Sequence, residues 1–143
     1  MLISNSSSSL SVSTLQAKPE SETASRKSSL KQGEQQVERH VAAHTAVSRQ
    51  YASAPTYTYS QAVEGSRYIV SGDVSFDTSP VQNKPEQTLS KAQLIQRAAL
   101  APVDPTPSDI SASQRAQQLA NQARLEIGQL AEENTGTSID IYV

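Results

Sequence analysis

The chain has 143 residues, enough for one domain, and its 36% hydrophobic and 4% aromatic content leaves only a small core to build. Twelve Lys and Arg are interspersed with fourteen Asp and Glu, so no basic patch is dense enough for nucleic acid, and no apolar run approaches the roughly 18 residues of a membrane span. The absence of cysteine excludes disulfides and thiolate ligands, so a metal would be held through His, Asp, Glu or carbonyl oxygen.

Residues 1–33 are dominated by the polar run "SNSSSSLSVSTLQAKPESETASRKSS", which offers almost nothing to bury and reads as a disordered leader. It lacks a charged segment followed by an apolar one, so no secretory signal is expected. That favours the cytoplasm, with non-classical export as the other route. The foldable part is then 34–132, a core small enough to gain from a metal or a partner.

Residues 34–51, "EQQVERHVAAHTAVSRQY", have helical spacing, with Val37, Val41, His44, Val47 or Ser48, and Tyr51 on one stripe. His40 and His44 fall within it and face inward. "ASAP" ends the helix, because the residue before a proline avoids the helical region. "TYTYSQ", 56–61, and "RYIVSGDVSFD", 67–77, are β-prone and flank turn chemistry at Gly65, which predicts a hairpin. In the second run Tyr68, Val70, Val74 and Phe76 share a face with Gly72, and Asp73 and Asp77 lie on the other. Gly72 marks a bulge or a close backbone approach.

A second helix is expected over about 85–100, with Pro85 in its first turn and Leu89, Ala92, Ile95 or Gln96, and Ala99 on its apolar stripe. "APVDPTP" breaks the chain. A third helix is expected over 108–132, capped by Ser108, with the stripe Ala112, Ala116, Leu119, Ala123, Ile127 and Leu130. Residues 133–143 read as a tail. The fold class is α+β: a His-bearing helix, a β-hairpin and two further helices.

"RHVAAHTA" sets two histidines one helical turn apart, the spacing that presents two ligands to one zinc ion. The bland alternative is a pair of interior histidines that hydrogen-bond to backbone or to Asp73 and pin the helix to the hairpin. For Asp73 and Asp77 the alternative is solvent-facing carboxylates on an open sheet face. Tyr57, Tyr59 and Tyr68 suit cross-strand packing better than a cleft.

The order of these motifs is itself informative: His-x-x-x-His helix, "SRYIVSGDVSFDTSP", "KAQLIQRAALAPVDPTPSD", then an Ala/Gln-rich helix. Over about 34–130 it resembles the bacterial SprA-related family, described as metalloproteases with a His-Glu-x-x-His helix. "RAALAP" and "VSFDTSP" carry more of the likeness than the histidines do. The resemblance implies a zincin-like small domain in which His40 and His44 match the family's histidines. Val41 stands where the family has glutamate, Asp73 where its strand has an acidic residue, and Asp77 at the aspartate that follows.

In such a site two histidines and a third ligand leave one position for water, and the motif glutamate takes that water's proton. Val41 does not, so the expectation is a catalytically impaired protein that still binds zinc through His40, His44 and Asp73, with Asp77 as the other candidate for the third ligand. The partner expected is a peptide or protein; nucleic acid and membrane are not. A scaffold domain with structural histidines is the reading from a different class. An active hydrolase with Asp73 or Asp77 as substitute base is the third.

Overall fold

The computed structural model describes residues 13–62 and 64–138. Helix α1, Ser13–Val47, is followed by strands β1, Thr56–Gln61, and β2, Arg67–Asp73, then by helices α2, Pro85–Ala99, and α3, Pro107–Ser138. The class is α+β, with three helices around a two-stranded antiparallel hairpin.

α1 begins at Ser13 instead of at 34, so the part of the expected leader from Ser13 onward is helical. Every side chain from Glu20 to Ser29 is exposed, in keeping with a composition that buries nothing. Once the inner part of a helix is held by packing, each added residue gains a hydrogen bond without a new nucleus. Leu15, Gln16, Ala17, Glu22 and Ala24 are residues that extend it readily. Residues 1–12 lie outside the described residues. α3 likewise runs on to Ser138, through the start of the expected tail, and 139–143 lie outside the described residues.

α2 and α3 pack through small side chains. Ala92, Leu119 and Ala120 form a buried cluster with Leu89 against it, and Ile95, Ala98, Ala99, Ala112, Ala116 and Ala123 are buried as well. Alanine stripes let the two helices approach closely. α1 packs on β2 and on α2.

The hairpin turns at Gly65, whose φ of 84° is one that side-chain-bearing residues avoid. Thr58 pairs with Ser71 and Tyr59 with Ile69, so Val70 is the extra residue of a β-bulge. Gly72 is the close approach: a Cβ there would lie 2.8 Å from Val41 Cγ2 and 2.9 Å from Val37 Cγ1. α1 therefore lies on the face of β2 that carries Gly72, and Asp73, its neighbour in a period-two strand, is exposed. Beyond β2, Ser53 N–H donates to Ser75 O and Asp77 N–H to Tyr51 O, which ties the end of α1 to the strand's continuation.

Candidate metal centre

His40 and His44 stand one turn apart on α1, and their rings meet edge to face with centroids 4.7 Å apart. The third residue at this point is Asp109, from the first turn of α3. His40 Nε2 lies 3.1 Å from Asp109 Oδ2, His44 Nε2 lies 3.1 Å from Asp109 Oδ1, and the two Nε2 atoms are 3.1 Å apart. His44 and Asp109 are buried, while His40 keeps 18% of its side chain exposed.

Each of the three is held from behind. His44 Nδ1–H donates to the carbonyl of Ala98 in the last turn of α2, at 2.8 Å, and the ring of Phe76 stands edge-on to the imidazole. That carbonyl only accepts, so the proton of a neutral His44 is on Nδ1 and its Nε2 carries a lone pair. Asp109 is fixed by a reciprocal cap: Asp109 N–H donates to Thr106 Oγ1, and Thr106 N–H donates to Asp109 Oδ2. Thr106, not Ser108, is thus the N-cap of α3, with Pro107 in its first turn and the aspartate three positions on, as in a capping box.

His44 Nε2 turns a lone pair to a carboxylate oxygen, so a proton or a metal ion must stand between them, and a neutral His40 has one Nε2–H to give to either of its two neighbours. Edges of 3.1 Å suit a metal, since zinc bonds of the usual length in a tetrahedron put ligand atoms about 3.3 Å apart. Two imidazoles and a carboxylate suit zinc and other first-row divalent ions. The residues therefore fit a metal, and His40 alone of the three reaches the open side of the cluster.

That side is a cleft of about 500 Å³. Its walls are α1 at Val37, Arg39 and His40, β2 at Val70 to Gly72, and the α2–α3 connector at Ala101 to Thr106. None of Tyr57, Tyr59 and Tyr68 lines it.

The structure brings His40 and His44 together with Asp109, and neither Asp73 nor Asp77 is in the cluster. Asp73 is on the face of β2 away from α1 and is not in the cluster, because strand parity gives the inward position to Gly72. Asp77 is engaged elsewhere: its Oδ2 accepts from Lys91 Nζ at 2.8 Å and its Oδ1 from Ser79. The Lys91 bond, then those from Ser79, hold the Asp77 carboxyl well below the usual carboxylate range. Asp109 carries a local signal, "TPSD", that marks a helix start, but nothing in the sequence says that this start meets α1.

The fold and the cluster define a small α+β domain with a two-histidine, one-carboxylate centre. The chain belongs to the SprA-related family, whose model matches residues 10–140. The match reaches beyond 34–130 at both ends, so the outer turns of α1 and α3 fall within the family's span. No curated protein and no solved structure matches it. No described helix is long and apolar enough to cross a membrane.

Proposed function

We propose that this chain is a zinc-binding, zincin-like member of a metalloprotease lineage with impaired peptidase chemistry. The observation that carries the reading is the His44 ring, whose Nδ1–H is committed to Ala98 while Nε2 meets His40 and Asp109 at 3.1 Å. Bound at His40, His44 and Asp109, zinc would supply a polarised water. In a peptidase the residue after the first histidine takes that water's proton. Here it is Val41, which has no acceptor and packs on Gly72. Loss of a general base costs about 10²–10⁴ in rate. Asp73 and Asp77 are poor substitutes, the first outside the cluster and the second held by Lys91.

The occupant of the cleft in this reading is a peptide or protein segment. Val37, Val70 and Val103 give the cleft apolar lining, and Arg39 and Asp104 give it charge of both signs. A second reading takes the histidines as structural. With a proton on His44, the cluster is an imidazolium–carboxylate pair that pins α1 to α3. The near-complete burial of His44 and Asp109 favours it.

Elemental analysis of the purified full chain separates the two. The expected result is about one zinc per chain, lost in the His40→Ala/His44→Ala double variant. A wild type that takes up no zinc on incubation with the ion overturns the first reading and leaves the second.

A further inference from the structure

The connector between α2 and α3 is tied to the cluster at both ends. On entry, the Ala98 carbonyl accepts from His44 Nδ1–H at 2.8 Å and also from Ala101 N–H at 3.3 Å. On exit, Thr106 N–H shares Asp109 Oδ2 with His40. Between these ties the connector has little packing of its own: Pro102 is buried, but Val103 is 97% exposed and Ala101 and Asp104 are exposed. The same residues form one wall of the cleft.

We propose that metal occupancy of the His40–His44–Asp109 cluster fixes this wall, with Thr106 as the positioning residue of the carboxylate ligand. The inference rests on the zinc reading above and deepens it. A cation among the three groups polarises the His44 ring, so Nδ1–H becomes a stronger donor to Ala98. It also holds Asp109 in one orientation, with Oδ2 presented to the Thr106 amide as a charge-assisted acceptor. Without the metal, a proton bridges only two of the three groups at a time, so both ties are held less firmly. The metal thus sets the shape of the cleft.

Amide hydrogen exchange on the full chain, with and without zinc, tests this directly. The reporters are Ala101, Val103, Asp104 and Thr106. Zinc is expected to slow exchange at Ala101 and Thr106, whose amides make the ties. Thr106→Pro, which removes the amide that donates to Asp109 Oδ2, is expected to weaken zinc affinity about tenfold and to cancel the protection at Ala101, and Thr106→Ala, which keeps that amide and loses only the hydroxyl's bond to the Asp109 amide, to retain both. Zinc binding with unchanged exchange across the connector overturns the inference and leaves the metal site standing. Equal affinity in Thr106→Pro and wild type overturns the positioning role. No zinc binding at all removes the reading beneath both.

Discussion

Val41 and Gly72 form one packing unit, and neither is free to vary alone. Gly72→Ala would push a methyl into Val41 and Val37 at distances that real contacts do not reach. Overpacking of this kind costs about 1–3 kcal/mol, and urea denaturation should report a loss in that range. Adding Val41→Ala should recover part of the loss, since it removes the nearest γ-carbon. A second residue-scale test concerns Ser48, one turn beyond His44. It is buried, and its hydroxyl has no hydrogen-bond partner among the described residues. An unpaired buried hydroxyl opposes folding, so Ser48→Ala should stabilise by about 1 kcal/mol; a destabilised variant would point to a partner that the fold does not reveal. The histidine spacing was legible in the sequence because a helical period is local. The third member of the cluster, Asp109, was not. Asp73 was chosen on strand parity without knowing which face α1 covers, and the bulk of Val37 and Val41 settles that face on the glycine.

At the scale of elements, the helices and the hairpin were legible from their periodicity and turn residues, and their outer ends were not. α1 and α3 outrun the packed region because extending a formed helix needs no buried face. Ala24→Pro should therefore lower helical circular dichroism and leave the urea transition within about 0.5 kcal/mol of wild type, since the surrounding side chains are exposed. The Lys27–Glu64 pair nearby is exposed on both sides and adds little. The inner elements respond differently. Lys91 is buried on α2, lies over the Tyr51 ring, and holds the segment after β2 through Asp77 and the Ser79 carbonyl. Asp77 has its pKa lowered on folding, chiefly by Lys91. Its contribution is therefore present above the unfolded pKa and fades as pH falls towards the folded value. The stability difference between wild type and Asp77→Asn should be flat above about pH 5 and shrink below about pH 4. A difference that grows on acidification would reverse the assignment.

For the whole molecule, the centre is made where α1, the end of α2 and the start of α3 converge. His44 and Ala98 are 54 residues apart in sequence, and Asp109 is farther still. No window of sequence contains that junction, which is why the fold class could be read and the site could be read only in part. A ligand that bridges distant segments should stabilise the domain as a unit. If zinc binds, raising free zinc to 100 times its dissociation constant should add about 2.7 kcal/mol to unfolding, and the melting temperature should fall when a chelator is added. His40→Ala should remove the zinc dependence of the melting temperature.

The connector that walls the cleft contains Pro102 and Pro105 and leads into Pro107. Each proline ring restricts φ, so even the unfolded chain samples few shapes in this stretch. The wall therefore has little conformational freedom left to surrender when its two ends are drawn tight. A molecule that enters the cleft once the two ends are tied meets a wall with few remaining states to lose, and more of its contact energy remains as affinity.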